Sequence, residues 1–402
     1  MIKNQTLLSI IFLVFICVSC NENSSSIVFD KLLVNTQQNP STIESIQPLF
    51  SWIVDAEGYN KSQSAYHMLV ATSKEKLNEN DADIWNSDKV KSGKSTFVKY
   101  QGKPLKALQN YFWKVKIWDE KGVASNWSAV QEFEMGLMDN KNWGDSKWIT
   151  LKNDTRTSPY QFRNYKTGRM KTPKKVNGFA ASYFRNELAI DKKVENAQVY
   201  ICGLGYYELY LNGEKVGDHV LDPAPSNYDK QAYYVNYDIT SAIKSGKNAF
   251  GIILGNGFYG QDISWKRDPE SEKDMAYGPP TVKCLVKLKY TDGTLSDFYT
   301  DENWKEATGP IVFNNIYGGD TYDARYELGK WNTVGYDDSA WGNVKIASPK
   351  LRTISAQQIP PIKKLQELDP QKVFKGADGE WIVDFGQNIA GWIKINVKEK
   401  KG

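Results

Sequence analysis

Between residues 28 and 136 the apolar positions fall in short runs, 32–34, 49–53, 65–71, 96–98, 111–118 and 130–135, each closed by a turn signal. Runs of this length and spacing predict the strands of an immunoglobulin-like or fibronectin type III sandwich. In the run 111–118, Tyr111, Trp113, Val115 and Ile117 alternate with Phe112, Lys114 and Lys116, so one face is expected in the core and the other partly wet. These aromatics read as core and not as a sugar platform, and so do Trp52 and the stretch 125–128.

A second alternating region runs from about 179 to 346, centred on 199–222. There two apolar runs meet at Asn212 and Gly213, and Asn-Gly supplies the positive φ angles of a two-residue hairpin turn. The arms carry Tyr200, Tyr206, Tyr207, Leu209, Tyr210, Leu211 and Val216, residues suited to a pleated, half-buried surface. Asp292 and Gly293 predict a second hairpin turn. Little else is helical beyond one turn near 240–244, so a second β-sandwich, of jelly-roll kind, is expected. Between the two sandwiches, 139–148 is a turn-rich connector, and 151–178, rich in Lys and Arg with little periodicity, reads as a surface insertion.

Composition agrees with this all-β picture of tandem sandwiches. The chain is 13% aromatic, with 30 Gly and 15 Pro at short intervals and no long helical period. Its 402 residues exceed one ordinary core, which implies two or three domains. The 51 basic residues nearly balance 47 acidic ones without forming sequence clusters; this argues against nucleic acid or an anionic membrane surface and for a neutral polymer as partner. Lys3, the apolar stretch 7–18, and Ser19 before Cys20 read as an export signal of the lipoprotein kind, in which Cys20 becomes the lipidated first residue of an exported, envelope-anchored protein. Residues 21–27 form a polar tether. Cys202 and Cys284, both in strand-like runs, read as buried free thiols.

Catalytic material is sparse. With only two histidines, His67 and His219, neither a histidine-based triad nor a zinc cluster can be assembled, and no phosphate-binding glycine loop is present. A binding site is the better expectation. Neutral sugars are held by amides and carboxylates beside an aromatic face, and the turns of the second sandwich offer Asn212, Asp222, Tyr228, Asn256 and Tyr259. Asp222, Asn227 and Asp229 also supply oxygens suited to calcium. The competing reading is that Asn212, Asn227 and Asn256 hold turns of unusual dihedral angle.

Residues 202–223, CGLGYYELYLNGEKVGDHVLDP, resemble the segment that opens the N-terminal β-sandwich of the bacterial α-L-rhamnosidases, glycoside hydrolase family 78. A second match lies in 314–341, where Ile316, Tyr317, Gly318, Tyr322, Asp323, Ala324 and Arg325 stand in the family's pattern of an IY-G run followed by YDAR. Residues 380–395, EWIVDFGQNIAGWIKI, are similar to the start of its concanavalin-like sandwich. The runs PLFSWIV, QSAYHMLVA and YFWKVKIWD are similar to the fibronectin-like module of many Bacteroidetes rhamnosidases.

The resemblance implies a lipoprotein signal over 1–20, a linker over 21–27, a fibronectin type III-like domain over 28–138, a connector and insertion over 139–178, the rhamnosidase N-terminal sandwich over 179–346, and the truncated start of the concanavalin-like domain over 347–402. It also implies that the acid and base carboxylates of an inverting hydrolysis lie on a following α/α-barrel that nothing in residues 1–402 resembles. The chain is therefore expected to be the non-catalytic N-terminal part of an enzyme acting on rhamnose-containing glycans, with no catalytic residue of its own. Some family members use this module as a calcium-assisted rhamnose-binding unit. The alternative is a stand-alone surface glycan-binding lipoprotein.

Overall fold

The computed structural model describes residues 27–56, 58–152, 162–163, 170–171, 180–260, 277–316, 319–351, 353–396 and 398. The export signal with Cys20, nearly all of the tether, most of the insertion, and Tyr317 and Gly318 of the IY-G pattern lie outside these residues. The chain forms two compact units that divide between Met135 and Gly136.

In the first unit, Val28–Val34, Leu49–Asp55 and Val98–Lys99 form one sheet; Trp85–Asn86, Ala65–Ala71, Asn110–Trp118 and Gln131–Glu134, with Val90–Lys91 at one edge, form the other. Alternation along Asn110–Trp118 is as predicted: Tyr111, Trp113, Val115 and Ile117 are buried, and the residues between them are partly exposed. Phe50 is the hub of an aromatic core, edge-on to Trp113 at 4.8 Å and to Phe133 at 5.8 Å. On the wet face, the Lys114 and Lys116 ammonium groups lie over the Trp127 ring at 4.8 and 4.7 Å, and that of Lys116 also pairs with Glu79 at 2.8 Å.

The second unit is a sandwich of a six-stranded and a seven-stranded sheet. The first runs in the order Glu214–Lys215, Tyr206–Leu211, Gly246–Gly255, Ser182–Ile190, Lys305–Thr308, Gly342–Asn343. The second runs Lys345–Ala347, Trp148–Thr150, Thr281–Tyr290, Val194–Leu204, Gln231–Asp238, Thr353–Ala356, with Leu295–Tyr299 paired to Thr281–Tyr290. Between them Val199, Ile201, Phe184, Phe250, Ile252, Leu254, Val286 and Trp304 are fully buried. Asn212 and Gly213 both take positive φ, 54° and 94°, closing the tight turn their chemistry requires. At the second hairpin only Gly293 is left-handed, and Asp292 accepts from Thr294 N and Oγ1 in a longer loop.

Two features depart from the sequence reading. The apolar run before Asn212 is not one arm but two strands in different sheets, because the chain crosses from one sheet to the other at Gly205. That residue takes φ 131°, and a Cβ there would lie 2.2 Å from Gly255 O, so only glycine fits. The sandwich also retains the chain beyond 346: Thr353–Ala356 pairs in parallel with Gln231–Asp238, and Ile362–Lys363 pairs with His219–Val220. The hairpin of Lys372–Lys375 and Trp381–Asp384 follows, exposed throughout.

Cys202 and Cys284 sit on neighbouring strands, but Cys202 pairs with Lys283 and Cys284 with Ile201, so their side chains leave opposite faces and both remain free thiols.

Candidate sugar-binding end of the second sandwich

Asp222 follows Leu221, which takes φ 57°, and its carbonyl accepts from Tyr207 N at 2.9 Å. The residue is 4% exposed. Its Oδ2 meets His219 Nδ1 at 2.6 Å and accepts from the Tyr237 hydroxyl at 2.6 Å, while the Tyr207 and Tyr237 hydroxyls stand 3.4 Å apart. Burial, reinforced by the Asp222 charge, pushes the Tyr237 phenol far up, so it stays a donor. The arrangement ties the segment 218–223 to the sheet, and Asp218 continues it through an ion pair of 2.9 Å with Lys363.

Asn212 lies elsewhere. Its Oδ1 accepts from Ala249 N at 2.9 Å and its Nδ2 donates to Asn248 Oδ1 at 2.9 Å and to Ala242 O at 3.3 Å. From Ala249 to Asn256 the strand advances roughly 23 Å at about 3.3 Å per residue, so Asn212 and the turn at Asn256 occupy opposite ends of Gly246–Gly255. Asn256, 1% exposed, donates from its backbone N to Asn314 Oδ1 at 2.6 Å and from Nδ2 to Asn314 O at 3.0 Å. This amide pair pins the hairpin of Ile311–Asn315 and Gly319–Tyr322, which bears the YDAR motif, against the Gly255 corner. There Asp323 caps a 3-10 turn and takes the Arg325 guanidinium at 2.9 Å; that contact, outweighing slight desolvation, holds the carboxyl at about 2. The segment 328–341 then lies over the sheet: Trp331 packs edge-on to Tyr183, and Arg185, 2% exposed, donates to Trp331 O and pairs with Asp338 and Glu187.

Tyr228 and Tyr259 do come together. Their rings meet edge-on at 5.3 Å, and Tyr277 joins both, 5.2 Å from Tyr228 and stacked on Tyr259 at 5.7 Å. Tyr228 and Tyr259 are buried, whereas Tyr277 is 46% exposed. Phe258 turns its ring edge-on to Tyr206 at 6.3 Å, and both are half-buried. Of the sugar-binding residues expected from the sequence, then, the structure groups Tyr228 and Tyr259, puts Asn256 at the same corner as a pin for the neighbouring hairpin, engages Asp222 in the His219–Tyr237 network, and removes Asn212 to the far end. Tyr277, Tyr206 and Asn314 were not singled out as site residues; Tyr277 stands in no motif, and Asn314 precedes one.

The calcium set does not fit. Asp222 is buried with its Oδ2 engaged, whereas Asn227 and Asp229 are exposed on a turn where Asn227 Oδ1 accepts from Asp229 N. Among the described residues no group of three or more His, Cys, Asp or Glu is placed to hold a metal ion.

Three family models match the chain: the Rha78A-like N-terminal immunoglobulin domain over 29–139, the α-L-rhamnosidase N-terminal domain over 192–366, and the bacterial α-L-rhamnosidase concanavalin-like domain over 374–402. An α-L-rhamnosidase of Formosa agariphila is 68% identical over 402 residues, which cover 99% of this chain and 42% of that protein. One from Alteromonas sp. (strain LOR) is 32% identical, with 90% of this chain and 38% of the relative covered. The solved α-L-rhamnosidase of Dictyoglumus thermophilum superposes with a TM-score of 0.79 at 37% identity, covering 91% of this chain and 39% of that one. The Streptomyces avermitilis enzyme complexed with L-rhamnose shares the fold, with a TM-score of 0.80 at 24% identity over 90% of this chain and 49% of that one. The chain thus spans about two fifths of the length of the relatives it matches. It belongs to the bacterial α-L-rhamnosidases of glycoside hydrolase family 78 and carries their N-terminal modules.

Proposed function

We propose that these modules are the non-catalytic, glycan-facing part of an enzyme that hydrolyses terminal α-L-rhamnosides. The observation that carries this reading is the 68% identity, sustained along 99% of the chain, to an α-L-rhamnosidase. The carboxylates beside the motifs support it, because they are engaged in structural roles: Asp222 with His219 and Tyr237, Asp323 with Arg325, Asp218 with Lys363. Inverting hydrolysis needs a protonated carboxylic acid and a second carboxylate separated by room for water. The resemblance assigns that pair to a barrel outside these modules.

The test is direct. Purified chain should release no nitrophenol from 4-nitrophenyl α-L-rhamnoside above the uncatalysed rate, and fusion to the remaining length of the Formosa relative should restore turnover. Hydrolysis by the chain alone, or an inert fusion that is demonstrably folded, would overturn the reading. A stand-alone surface glycan-binding lipoprotein draws no support from the relatives, which are named α-L-rhamnosidases.

The same reading includes a rhamnose-containing glycan as partner and a lipid anchor at Cys20, supported by Lys3, the apolar stretch 7–18 and Ser19. An anchored protein partitions with the cell envelope into detergent, and Cys20→Ala releases it or blocks processing. Soluble wild-type protein would remove the anchor from the proposal.

A further inference from the structure

Beyond Ala356 the chain buries almost nothing that would keep it on the sandwich. Ile359, Ile362 and Leu365 are 48%, 56% and 91% exposed, and a segment with so few buried apolar contacts ordinarily frays. It is nonetheless held at two places. At the first, Thr353–Ala356 pairs in parallel with Gln231–Asp238, and Gln357 closes the pairing: its N donates to Tyr234 O at 2.9 Å, and its Oε1 accepts from Ala224 N at 2.7 Å. At the second, Ile362 and Lys363 are registered with Val220 and His219, and the Lys363 ammonium pairs with Asp218. Between the two, Pro360 and Pro361 have fixed φ and no N–H, so the chain crosses the gap as a stiff strut.

Both attachments trace back to one strand. Gln231–Asp238 makes the parallel pairing and also supplies Tyr237, whose hydroxyl bonds to Asp222 at 2.6 Å and so fixes the loop 218–224 that grips Ile362 and Lys363. This loop is not relaxed. Leu221 takes φ 57° with its side chain 52% exposed, a left-handed conformation that a branched residue keeps only where its surroundings impose it. Asp222 gives up its hydration, a cost that the bonds from Tyr237 and His219 must offset. The strained leucine and the buried carboxylate together hold the outer edge of the loop, where His219 and Val220 meet the departing chain, in one place against the sheet.

We propose that residues 218–224 and 353–363 form a clasp, with Asp222 as its buried keystone, that fixes the direction in which the chain leaves the second sandwich. The clasp lies within the match to the N-terminal domain, which ends at 366, and just ahead of the match to the concanavalin-like domain, which begins at 374, so it sits where one module hands over to the next. The His219–Asp222–Tyr237 network is then a conformational device and not a ligand site.

Amide hydrogen exchange of the full chain, read by mass spectrometry, tests whether the contacts act as a unit. Tyr237 reaches Ile362 and Lys363 only through Asp222 and the loop, and Gln357 reaches them only through Ala224 and the two prolines. Tyr237→Phe and Gln357→Ala should therefore each speed exchange at 219–220 and 362–363 by about tenfold, one lost hydrogen bond, beyond any change in the core strands Val194–Leu204 and Thr281–Tyr290. Gln357 is half-buried and outside the core, so its variant keeps the test open if Tyr237→Phe fails to fold. A second measurement reads direction. Leu295→Cys and Leu365→Cys, 74% and 91% exposed in the native chain, accept spin labels while Cys202 and Cys284 stay buried. The distance distribution between the labels should be single and narrow, and Gln357→Ala should broaden it. Faster exchange confined to the substituted residue's own partners, faster exchange shared equally with the core strands, or a distribution already broad before Gln357 is replaced would overturn the clasp.

Discussion

Gly251 is the seat of Trp331, and replacing it with alanine tests how the segment 328–341 is held. The glycine lies on the central strand Gly246–Gly255, registered with Arg185 on one side and Tyr210 on the other, under the indole. A Cβ there would lie 2.7 and 2.8 Å from Trp331 Cζ3 and Cη2 and 2.9 Å from Asn332 Cβ. Carbon atoms settle at about 3.5–4.0 Å, so the ring must retreat by about 1 Å. It is poorly placed to do so, being edge-on to Tyr183 at 5.3 Å, stacked on Trp341 at 6.0 Å, and tethered through its carbonyl to Arg185 Nε at 3.0 Å. Without this contact, Gly→Ala in a strand would stabilise by about 0.5–1 kcal/mol. Overpacking a filled site costs about 1–3 kcal/mol, so the expected sign is destabilising. The double-mutant cycle isolates the contact: with Trp331→Ala in place, Gly251→Ala should become neutral or mildly stabilising, a coupling of about 1–3 kcal/mol. Urea unfolding followed by far-UV circular dichroism reads the cycle, and proteolysis within 328–341 reports whether the segment has lifted. If Gly251→Ala unfolds at or above the wild-type urea concentration in both backgrounds, the indole does not rest where the structure puts it.

Tyr237→Phe removes the hydroxyl donor to buried Asp222 and should cost about 1–3 kcal/mol in chemical unfolding, whereas Tyr207→Phe, whose hydroxyl stands 3.4 Å from its neighbour, should cost less. Burial pushes the Asp83 carboxyl up, but hydrogen bonds from Thr72 and Lys76 outweigh it and hold it at about 2. Because the unfolded carboxyl titrates near about 3.9, this contribution to the first unit is complete above about pH 4 and is lost as pH falls toward 2; Asp83→Asn should flatten that part of the acid-unfolding curve. Burial raises both the Cys202 and Cys284 thiols, so neither should react with a disulfide reagent until the chain is unfolded in urea, and rapid native modification of either would contradict the packing.

What could be read from the sequence was local chemistry with a short-range consequence. Asn212 and Gly213 announce their turn because few residue pairs accept two positive φ angles, and the alternation in Asn110–Trp118 announces its faces because a strand has period two. Gly205 could not be interpreted this way. Its requirement comes from Gly255 O, which belongs to another strand, and without that atom the stretch CGLG looks like part of a single hairpin arm. The parallel pairing of Thr353–Ala356 was hidden for the same reason: nothing near residue 353 encodes a partner more than a hundred positions away.

The candidate site divides along a finer line. Sequence reasoning picked polar and aromatic residues in turns, and of these the Tyr228 and Tyr259 rings stand together. It also chose Asn212, Asp222 and Asn256, whose side chains have the right chemistry for a sugar but already serve Ala249, His219 with Tyr237, and Asn314. A residue's type states how many hydrogen bonds it can make; only the fold decides how many are already made. That is why Asn212, Asp222 and Asn256, conspicuous in sequence, have side chains already bonded within the fold, and why Tyr237→Phe, which changes one oxygen and almost nothing else, tests a bond that residue type alone could not reveal.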